Sequence, residues 1–260
     1  MALHVDRLAP GVVTITLDNP ERRNALDAEH AAALVDAVAG LRADRTVRCL
    51  VLTATGSAFC SGADLGAFRA EQTTGVLGRR EMLGRYYRAF LDIRDLAVPT
   101  IAAVNGAAIG AGLNLALCCD IRLAATSARF GATFVRLGIH PGGGATYLLT
   151  RLIGPALAAE LLLTAEIVDA ERALAMGLVN RVVADAELAG AAAAMAATIA
   201  GNAPAVVRAT KRALRVAVDA DLAAALEVEG LAQAASQEGE DAAEGWTAFR
   251  ERRAPEFPDR

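Results

Sequence analysis

The chain has 260 residues, enough for one large domain or two small ones with a substantial core. Hydrophobic residues make up 54% and charged residues 22%, which excludes an intrinsically disordered chain. With 26 basic and 30 acidic residues the net charge is −4, and no block of like charge points to a nucleic-acid-binding face.

The opening MALHVDRLAP carries Asp6 and Arg7 and lacks an apolar stretch, so it does not read as a signal peptide. VVTITLD (12–18) has the β-branched character of a strand, and Asn19-Pro20 ends it. From Asp27, a candidate N-cap, apolar residues Leu34, Val35, Val38 and Leu41 recur at helical spacing. CLVLTATG (49–56), PTIAAVNG (99–106) and CDIRLAAT (119–126) read as further buried strands. Residues 66–90 are Gly-rich and charged and read as a loop running into a helix around 80–95. The uncharged stretch 96–119 is long enough to suggest a membrane span. Pro99, Asn105, Asn114 and the glycines at 106, 110 and 112 fit a strand, a glycine turn and a short helix better. Strands separated by helices imply β/α units with parallel pairing.

Beyond Gly144 the signals are helical. Asp169 to Met176 is a short helix capped by Asp169 and stopped by Gly177. Helices over 185–200, 204–218, 221–235 and 241–253 follow, the last carrying Trp246 and Phe249 on one side. The expected organisation is a β/α core over 1–200 and a helical region over 201–260, able to pack on the core or on a neighbouring subunit. Cys49, Cys60, Cys118 and Cys119 show no metal-ligand spacing and read as reduced thiols in a cytoplasmic protein.

Three segments can carry chemistry. In NGAAIGAGLNLALCCD (105–120), glycines follow a strand and open a helix, so backbone amides can approach a ligand. The spacing is not that of a dinucleotide fingerprint, and small residues also serve tight strand–helix packing. GSAFCSGADL (56–65) is a second small-residue turn after a strand. Amides from two such turns could converge on one oxygen and form an oxyanion hole. FGATFVRLGIHPGGGATYLLTRLIG (130–154) adds a Gly-rich turn, one histidine and the start of a helix.

These segments, with DNPERRNAL (18–26), LLTAEIVDAERALAMGLVNRVV (161–183) and EGWTAFRERRAPEF (244–257), resemble the enoyl-CoA hydratase/isomerase, or crotonase, superfamily over nearly the whole chain. The resemblance implies an α/β fold, a spiral of β-β-α units with C-terminal helices that make a homotrimer or a dimer of trimers. It implies an acyl-CoA thioester as substrate or ligand, in fatty-acid or related acyl-CoA metabolism, with no metal and no further cofactor. On this likeness the amides of Ala63 and Ala111 form the oxyanion hole. Ser61, Ala63, Asp64 and Leu65 form the turn that holds the adenine end of CoA. Arg23 and Arg252 lie where the family meets CoA phosphates, although either could be an ordinary solvated charge.

The sequence departs from the family pattern at the catalytic acids. Hydratases of the family use two glutamates; here their positions match Asn114 and Phe134. A more distal acid used by some isomerases falls near Gly142. Asparagine can hold a water but cannot shuttle a proton at neutral pH, and phenylalanine can do neither. His140 has a suitable intrinsic pKa, but the structural reading, a ring bonded to loop backbone, is favoured. Asp120, Tyr86, Tyr87, Cys118 and Cys119 read as structural or packing residues. Two functions remain open: a lyase or isomerase on acyl-CoA with a non-standard proton-transfer group, and an acyl-CoA-binding protein that keeps the pocket without hydratase chemistry.

Overall fold

A strand that is apolar at every position must be covered on both faces. CLVLTA is such a run, and in the computed structural model it is a central strand. The structure describes residues 2–70 and 75–258. An antiparallel hairpin opens the chain, β1 (Ala2–Ala9) and β2 (Val12–Asp18). The first of these strands was not expected. It alternates polar and apolar residues on the sheet edge, with His4 and Asp6 exposed. A 3-10 turn over Pro20–Arg22 leads to α1 (Ala28–Ala43). Asp27 caps this helix as expected, accepting from His30 N at 2.9 Å.

Next come β3 (Cys49–Ala54), β4 (Ala58–Cys60), α2 (Leu65–Ala70) and α3 (Gly75–Arg94). α3 is the helix expected around 80–95, begun earlier, and α2 occupies part of the expected loop; residues 71–74 lie outside the described residues. Glycines at 75, 78 and 84 lower the helix propensity and hid the first turns of α3, which Met82, Tyr86, Ala89, Phe90 and Ile93 bury along one face. The uncharged stretch resolves into β5 (Thr100–Val104), β6 (Ala107–Ile109) and α4 (Ala111–Leu117). After β7 (Ile121–Ala125) and β8 (Arg129–Gly131) comes a 3-10 turn over Thr133–Leu137, then α5 (Ala145–Thr164), broken at Gly154. The chain continues with β9 (Ile167–Asp169), α6 (Ala170–Ala175), β10 (Arg181–Val183) and α7 (Leu188–Ala200). It ends in α8 (Pro204–Ala217), α9 (Leu222–Gln237) and α10 (Glu240–Glu251).

The strands form two sheets, ordered β1-β2-β3-β5-β7-β10 and β4-β6-β8-β9. Successive strands switch sheets: β3, β5 and β7 enter the large sheet, while β4, β6 and β8 enter the small one. Most turns of the spiral are thus two strands and a helix, matching the expected β-β-α repeat. The sequence showed only the long member of each pair, because the short members have three residues each. One face of the large sheet joins the main core through Val13, Ile15, Leu50 and Leu52. The other, through Val12, Cys49, Val51, Ile101 and Leu123, is covered by α7, whose Leu188, Ala192, Ala196 and Ala200 recur every four residues.

The C-terminal helices stack in order, α9 on α8 and α10 on α9. The tail after α10 is clasped by Glu244, whose carboxylate accepts Arg253 Nη1 at 2.6 Å, Arg253 Nη2 at 2.9 Å and Glu256 N at 2.8 Å. The arginine first, then the amide, holds the Glu244 carboxyl down at about 2. A depressed folded pKa means the clasp is at full strength above the ordinary glutamate range and is lost as pH falls through about 2. A carboxyl-carbon NMR titration is expected to show a Glu244 midpoint near 2. A midpoint in the ordinary range of about 4.3 would show that the clasp does not form in solution.

Candidate functional site

The first small-residue turn follows β4 and runs beside the turn that precedes α1. Leu26 N donates to Gly62 O and Asp64 N to Leu26 O, both at 2.8 Å, in a parallel bridge between Leu26 and Ala63. The flanking residues make these bonds, so the N–H of Ala63 points away from the bridge. It makes no hydrogen bond among the described residues. Ser61 N donates to Arg23 O at 3.0 Å, which places Arg23, exposed and at φ 51°, against the same turn.

Asn24, fully buried and also left-handed, locks this arrangement. Its Oδ1 accepts from Asn19 N at 2.7 Å, and its Nδ2 donates to Thr55 O at 2.9 Å and Ala58 O at 2.7 Å. Sequence reasoning missed it; the signal available was an asparagine four residues after Pro20, a residue type that tolerates the left-handed region.

Asp64 was expected to hold ligand, but its side chain is already engaged. Oδ1 accepts from the amides of Gly66 and Ala67, both at 3.1 Å, and Oδ2 pairs with Arg22 at 2.5 Å. The Ala67 amide, and then the Arg22 charge, holds its carboxyl below the usual range. Asp64 thus caps α2, whose first residue, Leu65, is exposed.

The second turn follows β6. Ala111 is the first residue of α4, so its N–H has no intrahelical partner, and it makes no hydrogen bond among the described residues. Glycine lets the two turns interlock. A Cβ on Gly112 would lie 2.0 Å from Cys60 O. One on Gly62, at φ +107°, would lie 2.8 Å from Ile109 O and 3.6 Å from Ala111 N. The two turns that carry free amides are therefore in direct contact.

Asn114 lies one helical turn beyond Ala111 and is 1% exposed. Its Nδ2 donates to Gly142 O at 2.8 Å. A carbonyl only accepts, so the orientation of the amide is fixed, and Oδ1 is left buried without a partner among the described residues. Phe134 is half-buried, with its ring edge 3.9 Å from where a Cβ on Gly110 would stand. Gly142 and Gly143 pack against Tyr87, Phe90 and Asn114. His140 is exposed, and its Nδ1 donates to Pro141 O at 2.7 Å, the backbone-bonded state the structural reading anticipated.

The structure thus gathers Arg23, Ser61, Ala63, Asp64 and Leu65 on one turn, in contact with the turn of Ala111, which leads to Asn114, Phe134 and Gly142. Arg252 is not among them. It terminates α10, and no described hydrogen bond or ion pair joins it to Arg23 or the 61–65 turn. A cavity of about 820 Å³ lies elsewhere, between α8 and the starts of β5 and β7. There the buried Lys211 ammonium pairs with Asp120 at 2.6 Å and donates to Val98 O at 2.7 Å. Asp120 also accepts from Thr100 N at 2.8 Å, so it ties α8 to the sheet. Burial pushes the Cys60 and Cys119 thiols up to about 12 and raises Cys118 as well, so all three stay protonated.

A family model described as enoyl-CoA hydratase/isomerase matches residues 7–260. Crotonyl-CoA hydratase of Syntrophomonas wolfei is 37% identical over 247 residues, 95% of this chain and 94% of that protein. (E)-benzylidenesuccinyl-CoA hydratase of Thauera aromatica is 39% identical over 247 residues, 95% of each. The crystal structure of an enoyl-CoA hydratase from Bacillus anthracis superimposes with a TM-score of 0.94 at 34% identity, covering 99% of both chains.

Proposed function

Because the chain belongs to the enoyl-CoA hydratase/isomerase family, we propose that its two free turn amides, those of Ala63 and Ala111, hold the thioester oxygen of an acyl-CoA. The contact between the turns through Gly62 and Gly112 carries this reading. Paired amides aimed at one oxygen stabilise the charge that develops there when the carbon beside the thioester loses or gains a proton. Arg23 offers its guanidinium group to the CoA phosphates, and the backbone of Ser61, Asp64 and Leu65 offers a surface to the adenine; Arg252, apart from this turn within one chain, reaches the phosphates only from a neighbouring subunit of the proposed trimer. The acyl chain then runs past Asn114 toward Phe134 and Gly142. The buried Oδ1 of Asn114 is an acceptor suited to a water, and His140, two residues before Gly142, is the other candidate proton-transfer group.

Chain residues 1–200 form the catalytic core in this proposal, and 201–260 form a trimerisation region of a cytoplasmic homotrimer or dimer of trimers. Leu214, Leu222, Leu231, Trp246 and Phe249 on these helices are exposed, and apolar surface of this kind favours burial against another subunit. A second reading, an acyl-CoA-binding protein without hydratase chemistry, is favoured by the absence of a carboxylate at both Asn114 and Phe134.

The test is a crystal grown with butyryl-CoA, with light scattering on the same sample. The amides of Ala63 and Ala111 are expected at about 2.7–3.1 Å from the thioester oxygen, and the mass at three or six chains. A thioester bound elsewhere refutes the oxyanion hole, and a single-chain mass refutes the trimer.

A further inference from the structure

The ring of Tyr87, on α3, packs against Tyr86 and Phe90 at centroid distances of 6.5 and 5.9 Å. These contacts fix the ring and deliver its hydroxyl to the turn at residues 142–143. A Cβ on Gly142 would lie 2.2 Å from the Tyr87 oxygen, so a glycine there is what admits the phenol. The same turn, through its Gly142 carbonyl, is the acceptor for Asn114 Nδ2. Asn114 and the Tyr87 hydroxyl therefore both meet the turn at 142–143.

A phenol has one proton to donate and lone pairs to accept with. No described residue accepts the Tyr87 proton, whereas the neighbouring Tyr86 hydroxyl is buried and donates to Leu26 O at 3.3 Å. Tyr87 is half-buried, which leaves its hydroxyl within reach of a ligand. Burial raises its pKa, so the proton is present at neutral pH.

We propose that the Tyr87 hydroxyl is the specificity-determining donor of the acyl pocket, placed to donate to a neutral oxygen, keto or hydroxyl, carried on the acyl chain. A neutral oxygen suits a neutral donor, because a carboxylate would be desolvated there with only a phenol to compensate it. The position is remote from the reacting carbons: the Gly142–Gly143 peptide and Asn114 stand between Tyr87 and Ala111. Tyr87 thus selects among acyl chains and takes no part in proton transfer. This inference rests on the thioester reading of the site.

Calorimetric titration of hexanoyl-CoA and its 3-oxo, 4-oxo and 5-oxo counterparts, against wild type and Tyr87→Phe, tests it. The Phe variant keeps the ring contacts and removes only the hydroxyl. At least one oxo thioester is expected to bind wild type about tenfold more tightly than hexanoyl-CoA, the worth of one hydrogen bond. Tyr87→Phe is expected to erase that preference while keeping hexanoyl-CoA within about twofold. Equal wild-type affinities for all four, a preference that survives in the variant, or an equal loss for all four ligands overturns the proposal. If no thioester binds wild type, the thioester reading itself fails, and this inference with it.

Discussion

Wild-type turnover of crotonyl-CoA to the hydrated product is expected to run at least about 10³-fold below the ordinary enzymatic range of about 1–10³ s⁻¹. A positioned acid–base group contributes about 10²–10⁴ in rate, and neither Asn114 nor Phe134, along the proposed acyl path, carries a carboxylate. Asn114→Glu is expected to leave this rate essentially unchanged and to lower stability by about 3 kcal/mol. Asn114 is a clamp: its Nδ2 donates to the Gly142 carbonyl at 2.8 Å, which the Ala145 amide also reaches at 3.3 Å. A carboxylate would set oxygen against oxygen at a position 1% exposed. The new acid would therefore stay protonated, and so could not act as a base. Asn114→Asp, with no added length, should show the same loss. Steady-state assays on the three proteins, with thermal melts, measure both quantities. Ordinary rates for wild type, or rescue by the Asn114→Glu variant, would refute this account and make His140→Ala the next variant.

Gly112→Ala is expected to be strongly destabilising. Its Cβ would meet the Cys60 carbonyl oxygen at 2.0 Å and the Cys60 Cβ at 2.8 Å, an obstacle of backbone that no rotamer change relieves. Overpacking costs about 1–3 kcal/mol where side chains can yield, and more here, so Tm is expected to fall by roughly 10 °C. Parting the two turns also moves the Ala111 amide away from Ala63, so butyryl-CoA affinity should fall with stability. Gly40→Ala is the control. Gly40 is an exposed position of α1 with nothing within 4 Å of the added carbon. Relieving a helical glycine should raise stability by about 0.5–1 kcal/mol. A Gly112→Ala protein that melts within 1 °C of wild type would show that the turns are not interlocked.

The part of this architecture visible in the sequence is the part set by neighbours along the chain. Asp27 and Asp169 each accept from an amide three residues on, so the cap is written within one turn. The strand at 49–54 shows itself because cover on both faces makes every residue apolar. The glycines at 62 and 112 and the absence of a carboxylate at Asn114 and Phe134 were also legible, because they are residue identities that can be read directly.

What the fold alone decided depends on partners far away in the chain. The three-residue strands β4, β6 and β8 are too short to show a period, and they exist because each pairs with a segment tens of residues distant. The second carboxylate oxygen of Asp64, left over by its local cap, is taken up only once Arg22, 42 positions earlier, reaches it. Asn114 becomes a clamp, and Tyr87 a free donor, only when the turn at 142–143 is laid between them. Sequence by itself determined the four long core strands, the caps and the glycines, because periodicity and capping are encoded within about one helical turn. Only the tertiary structure decided which polar groups are satisfied and which are left over, because a hydrogen bond between distant segments leaves no mark on the spacing of either.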